Sequence, residues 1–408
     1  MAMAVPRGGR DCRALALLLL PLALLQGMLA GLTWPSLWAA SSMVFDYHYG
    51  FGKHGLFGAL LASFIEPPYR YASLAALAFG IFALWLGLLC AASWPAMRRD
   101  GGVAAAGILF FLSAGFASLV SDMGYLEHVG LALTLACLLL PAGFVWLPAR
   151  ATLALAAVLF HEANFVIFVP IIALDLWGTM RFRLCWRAIV VVTACCVPGL
   201  LACWYLGNVR TACQEAGALA YFRSLASDFV VRADTVEALC RNGWQNFSMM
   251  RTMVWAYAVP YGYLAMALCV TLPSTIFNLG LIGRVMPQGE WAGRRMLLAA
   301  AMVAVFGPVG LNVIAADLVR FVSLVQVTSL LVLVSAVRRV GLPAGGCLPL
   351  AWRPHARGIA VSLAVFELST ALVMTNGAPM MKFPFVPLVA HAMAALHGDS
   401  AFLVIPAF

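Results

Sequence analysis

The chain has 408 residues, 64% of them hydrophobic and 10% charged, with a mean hydropathy of +0.96 and a formal charge of +9. Charged residues are about half of what a soluble domain carries, so the composition excludes a water-soluble protein and points to a polytopic membrane protein. The positive charge is distributed as membrane topology requires and does not form a nucleic-acid footprint.

Arg7, Arg10 and Arg13 precede the first apolar run and hold the N-terminus on the cytoplasmic side by the positive-inside rule. No small-residue cleavage site ends that run, so it reads as a retained first span. About 20 apolar residues cross the hydrocarbon core as a helix. On that basis spans are expected near 14–40, 71–95, 103–121, 126–147, 186–206, 255–282, 297–315, 319–337 and 357–376. Residues 55–66 are too short to cross and read as an interfacial helix.

The segment 151–177 is long enough for one crossing, yet Arg150 precedes it and Arg181, Arg183 and Arg187 follow it. Two half-helices meeting at His161-Glu162-Ala163-Asn164 keep both basic ends on one side, so a re-entrant hairpin is expected, with a single tilted span as the alternative. With that choice, 16 of the 25 basic residues fall on the cytoplasmic side, together with Asp11, Asp100, Asp175 and Glu290. The expected fold class is all-α integral membrane: about nine or ten transmembrane helices plus a re-entrant helical hairpin and an interfacial helix. Residues 1–408 form one membrane domain with an extracytoplasmic loop at about 207–252. Of the 11 cysteines only Cys213 and Cys240 fall in that loop, where an oxidising exterior lets them pair; such a bridge contributes about 3 kcal/mol. The alternative is two free thiols.

No internal repeat is evident, and phosphate-loop, dinucleotide and zinc-site spacings are absent. The polar residues instead gather near one face. Asp46, His48, Lys53 and His54 follow the first span. Asp122, Glu127 and His128 occupy the next outer turn, and His161, Glu162 and Asn164 tip the hairpin. Asp317 and Arg320 mark a later turn. Ionisable groups near the hydrocarbon are costly unless paired or wetted, so they mark a site or pathway. Each also has a plainer reading. Asp317 and Arg320, spaced i, i+3, can pair with each other, Asp122 is a good turn residue, and Glu127-His128 can be a solvated rim. Glu367, inside VFELST, is either a helix–helix polar contact or part of a pathway. In the outer loop Arg223 and Arg232, with Arg210 and Arg241, suit phosphate oxygens, while interspersed acids offer them ordinary solvated partners.

A first span that delivers an acid into the first outer loop (Asp46 in FDYHYGFGKHG), followed by an interfacial helix, is similar to GT-C superfamily glycosyltransferases. The resemblance covers the first half of the chain and the Asp317 turn. Asp122 resembles a second acidic position of some members, while the paired DD or ExD of the first loop is missing. The resemblance implies transfer of a sugar from a polyprenyl phosphate in cell-surface polysaccharide or glycoconjugate synthesis. The expected setting is the periplasmic face of a bacterial inner membrane, with a divalent cation as a possible cofactor. Implied partners are the lipid-linked sugar, a glycan acceptor, membrane lipids and other polysaccharide-assembly proteins, and no nucleic acid. Asp46, Asp122 and Glu162 become candidate catalytic groups. His48, Lys53, His54, Glu127, His128, His161, Asn164, Arg223, Arg232, Asp317 and Arg320 become candidate binding groups. A Wzy-type polymerase or ligase, with its arginine-rich outer loops, is the neighbouring reading, and a proton-coupled transporter or flippase belongs to another class.

Overall fold

The computed structural model describes residues 8–50, 52–182, 185–208, 217–286, 291–315, 317–343, 346–348, 350–369, 372–375 and 378–381. The first helix, α1 (Gly8–Gly31), stops before Trp34-Pro35, and α2 (Leu37–Met43) restarts behind Ser36, whose hydroxyl accepts from Ala39 N at 3.1 Å. Proline has no N–H to continue a helix and biases its predecessor toward extended backbone, so the expected continuous run 14–40 is broken. The expected interfacial helix is a short one, α3 (Gly55–Ala62). A side chain at Gly58 would place its Cβ 2.0 Å from the Phe45 carbonyl, so only glycine lets α3 lie this close to the first loop.

Next come α4 (Tyr71–Met97) and the pair α5 (Gly101–Leu112) and α6 (Ala114–Ser121), which bend by 49° at Ser113. The hydroxyl of Ser113 accepts from Phe116 N, capping the restarted helix. α7 (Glu127–Leu139) is followed by a hairpin of α8 (Leu147–Phe160), the single turn α9 (Asn164–Ile167) and α10 (Val169–Thr179). α11 (Trp186–Asn208) leads to a loop with the short helices α12 (Ala218–Ser224), α13 (Ala233–Cys240) and α14 (Gly243–Met249). The long helices α15 (Ala258–Val285), α16 (Trp291–Gly310) and α17 (Leu318–Val340) precede α18 (Ala356–Ser369).

Five described helices are long and apolar enough to cross a membrane, six if the bent α5–α6 pair is one span. Among the described residues the expected nine or ten spans are not confirmed, and several candidate spans are short helices. α7, with 13 residues, reaches about 20 Å at 1.5 Å per residue, against a hydrocarbon core of about 30 Å. α18 ends at Ser369, short of the expected 376, and residues 372–375 instead pair antiparallel with 378–381. That small ribbon is the one exception to helix among the described elements. The hairpin expected at 151–177 is present: Arg150, near the start of α8, contacts Asp175, near the end of α10, at 2.9 Å.

α17 is the axis of the bundle. Its residues from Leu318 to Val337 are all buried, so its polar groups must find partners inside the protein. Thr328 donates to the Val305 carbonyl at 2.6 Å, and Ser329 accepts from Asn278 Nδ2 at 2.8 Å. The Gln326 side chain accepts from Gly115 N at 2.6 Å and donates to Ser274 Oγ at 2.7 Å, filling the break between α5 and α6. Towards the C-terminal end of α17, Arg339 meets Asp175 at 2.6 Å and Ser335 donates to the same carboxylate at 2.9 Å. Arg320, at the other end, is 19 residues away, about 28 Å along the axis. One charged layer therefore lies at each end of a bundle about as thick as a hydrocarbon core.

A second apolar cluster covers the Arg320 end. Phe45, Phe57 and Tyr69 pack with Phe222, Val231 and Val236 of the α12–α14 loop. Tyr69 N donates to the Leu225 carbonyl at 2.7 Å and Ser227 N to the Tyr69 carbonyl at 2.9 Å, tying the loop to the base of α4. Cys240 is disulfide-bonded; its expected partner, Cys213, lies outside the described residues, as does Arg210.

Candidate functional site

Four stretches far apart in the chain meet at this end. Lys53 and His54 precede α3, Glu127 opens α7, His161 and Glu162 form the turn between α8 and α9, and Asp317 and Arg320 open α17. Local structure aims each of them. His54 takes a left-handed conformation, φ 62° and ψ −4°, which a non-glycine residue adopts only when its surroundings hold it there. α8 stops because His161 is extended, φ −157° and ψ 119°. The turn is fixed by Ala163 N pointing at His161 Nδ1 (3.2 Å) and by Asn164 Nδ2 donating to the Ala157 carbonyl (2.8 Å). A side chain at Gly130 would meet the Asn164 amide at 2.4 Å, so this glycine lets α7 close on the turn.

The contacts run as one chain of alternating charge. Lys53 Nζ lies 3.4 Å from Glu162 Oε1, and Glu162 Oε2 lies 3.7 Å from His54 Nε2 and 3.5 Å from His161 Nδ1. The other side of the His161 ring faces Glu127 Oε1 at 3.5 Å, which Arg320 reaches at 3.1 Å. Arg320 also pairs with Asp317 at 2.8 Å, as the i, i+3 spacing suggests, and stacks over the Tyr125 ring at 4.4 Å. Imidazoles aside, two cations face three carboxylates. Burial, aided by neighbouring His161, holds His54 neutral, its pKa down to about 3. Several buried polar atoms here make no hydrogen bond, among them Glu162 Oε2, His54 Nδ1 and Arg320 Nε. Such groups cost free energy unless something else satisfies them.

Asp46 stands beside this chain and not within it. Its Oδ1 accepts from His48 N at 3.0 Å and its Oδ2 from the Tyr221 hydroxyl at 2.6 Å. It lines a small pocket with Tyr49, Lys53 and Phe222, so Lys53 is the link between the first-loop acid and the Glu162 cluster. Lys53 Nζ also donates to the Arg241 carbonyl at 2.9 Å, latching the α12–α14 loop over both. His48 is exposed and stacks on Tyr221 at 3.9 Å. Burial and the bond to Asp46 raise the Tyr221 pKa, keeping the phenol a donor.

The remaining sequence candidates have other surroundings. His128 is buried and accepts from Trp85 Nε1 at 2.8 Å, a contact between α7 and α4. Asn164 braces the hairpin turn as described. Arg232 engages Asp234 at 2.6 Å, and Arg223 is exposed. Arg241 pairs with Glu237 one turn earlier on α13. Asp122 is half-buried at the end of α6 and accepts from Ser118 Oγ at 3.3 Å. Tyr125, Tyr221 and the Arg150–Asp175–Arg339 layer were not singled out by sequence; the only available signals were the aromatic richness of the outer turns and the basic ends of the hairpin.

Asp122 carries a pH prediction. Burial pushes its carboxyl from 3.8 up to about 7, with Asp317 and Glu127 adding to the shift and Arg320 and the Ser118 hydroxyl opposing it. An acid whose folded pKa lies above its unfolded one makes the folded chain bind more protons in between, so stability falls as pH rises through that window. The melting temperature of the solubilised protein should therefore fall between about pH 4 and about pH 7 relative to that of Asp122→Asn. Parallel slopes for the two proteins would show that Asp122 ionises freely.

His54, His161 and Glu162 each offer one donor atom, all within 4.8 Å of one another, a spacing compatible with a metal ion. No protein-family model matches the chain, and no curated protein and no solved structure matches it either.

Proposed function

We propose that the chain is a membrane transferase that moves a sugar from a polyprenyl phosphate to a glycan acceptor, with the Lys53–Glu162–Arg320 end facing the extracytoplasmic side. The observation that carries this reading is the convergence of Lys53, Glu162, His161, Glu127 and Arg320 beside the pocket of Asp46, at one end of a bundle of apolar helices. A lipid-borne phosphate arrives at that level, and no soluble donor is needed there.

In this reading Asp46 takes the proton of the acceptor hydroxyl; its carboxylate retains acceptor capacity after the bonds from His48 N and Tyr221. The acceptor oxygen bonds to the anomeric carbon as the bond from that carbon to phosphate breaks, and the lipid phosphate leaves with the electron pair. Lys53, on the pocket wall, offsets its growing charge. Glu162 holds Lys53 in place from behind.

The test is Asp46→Asn in a strain that depends on the protein. The lipid-linked glycan product should fall by about 100-fold or more while the variant stays abundant in the membrane. Undiminished product would refute Asp46 as the base, and accumulated single repeat units would indicate a polymerase instead. A second reading, proton-coupled transport, is favoured by Glu367. This buried carboxylate lies 3.3 Å from Gln326 Nε2, beside the broken α5–α6 helix, and broken helices with inward polar groups recur in transporters. Uptake into vesicles driven by a proton gradient, lost in Glu367→Gln, would establish that reading over the first.

A further inference from the structure

We propose that His54, His161 and Glu162 bind a divalent cation of the zinc class. Two imidazoles and one carboxylate are a donor set suited to Zn²⁺ and its first-row neighbours, not to Mg²⁺ or Ca²⁺, which favour oxygen. A tetrahedral ion with bonds of about 2.0–2.1 Å requires donors about 3.3–3.4 Å apart. Glu162 Oε2 lies 3.5 Å from His161 Nδ1 and 3.7 Å from His54 Nε2, close to two edges of such a tetrahedron.

The Nδ1 lone pair of His161 accepts from Ala163 N at 3.2 Å, a long bond that an ion would replace, while Nε2 on the far side faces the Glu127 carboxylate. Carboxylate, imidazole and ion in line is the usual way that a metal-binding histidine is oriented. Glu162 divides its two oxygens: Oε1 serves Lys53, and Oε2, buried, has no hydrogen-bond partner. The side chain of His54 is 9% exposed, its Nδ1 has no hydrogen-bond partner, and its ring centre lies 4.3 Å from that of His161. The two rings are close enough to act as joint donors to one ion. Three protein donors leave a coordination position for water or another ligand, the arrangement of zinc sites that perform chemistry.

The full-length protein in detergent, stripped with chelator, is titrated with Co²⁺ and read by visible absorption. The expected result is one ion per chain with the strong bands of four- or five-coordinate nitrogen and oxygen ligation, and competition by Zn²⁺. His54→Ala and Glu162→Gln should abolish the bands, Glu127→Gln should weaken binding about 10- to 100-fold, and Cys203→Ser should leave the spectrum unchanged. Absence of bands in the wild type overturns the proposal without any need for the variants to fold. So do bands that persist in both ligand variants, or near-ultraviolet thiolate charge transfer, which would place the ion on cysteines. Glycan synthesis is not the readout, so the cation site stands or falls separately from the transferase reading.

Discussion

Asp175→Ala should destabilise the protein by about 3–5 kcal/mol, the usual cost of leaving buried charges without their partner. Asp175 is fully buried; it receives Arg150 at 2.9 Å and Arg339 through two nitrogens at 2.6 and 2.8 Å. Ser335 is its fourth donor. Without the carboxylate, two guanidinium groups remain at one end of the bundle, with carbonyls of Leu138, Leu140 and Pro141 as their only described partners. Those carbonyls lie near the C-terminal end of α7, so the loss also loosens the junction of α7, α8, α10 and α17. The measurement is thermal unfolding and recovery of monodisperse protein from detergent. A triple variant, Arg150→Met, Asp175→Leu and Arg339→Met, should regain part of the loss, because well-packed apolar groups replace buried ion pairs at little cost. Unchanged melting in Asp175→Ala would show that the ion pairs contribute nothing to the fold.

Glu162→Gln should have as large an effect on function as Asp46→Asn, a fall in glycan product of about 100-fold or more, with the fold retained. Glutamine keeps the shape and an oxygen for Lys53, so the α12–α14 loop stays latched. What disappears is the charge that faces Lys53, His54 and His161 together. In the transferase reading Lys53 then loses its fixed position at the pocket wall. Product analysis in a complemented deletion strain, with membrane abundance measured in parallel, decides the matter. Wild-type product in Glu162→Gln would remove the cluster from the mechanism and leave Asp46 to act alone.

The helical membrane class was legible from composition alone, because no other arrangement hides so much apolar surface. The hairpin was legible from the arginines at both ends of 151–177, and the Arg150–Asp175 contact agrees with it. Span number was less legible: hydropathy sees apolar runs, but Pro35 and the Leu140-Pro141 step cut helices short inside them. For the candidate site, sequence named residues that the fold brings together, without their grouping. Lys53, His54, Glu127, His161, Glu162, Asp317 and Arg320 come together, whereas His128 serves Trp85 and Asn164 serves the turn. Such pairings depend on which helix faces meet between stretches tens to nearly 200 residues apart, and no spacing rule along the chain encodes that. The donor triad escaped motif reading for the same reason, since His54 and His161 lie 107 positions apart.

The buried position of α17 also bears on the order of assembly. The helices packed most heavily around it, α5, α6, α10, α15 and α16, all precede it in the chain. A growing polypeptide therefore completes the groove before it makes the helix that fills it. When α17 arrives, Glu127, Asp175 and the open backbone at Gly115 are already in place to receive Arg320, Arg339 and Gln326. Chains that end before Leu318 leave Glu127 without Arg320 and Asp175 with Arg150 as its remaining cation. α17 is therefore the helix that closes the bundle as well as its axis.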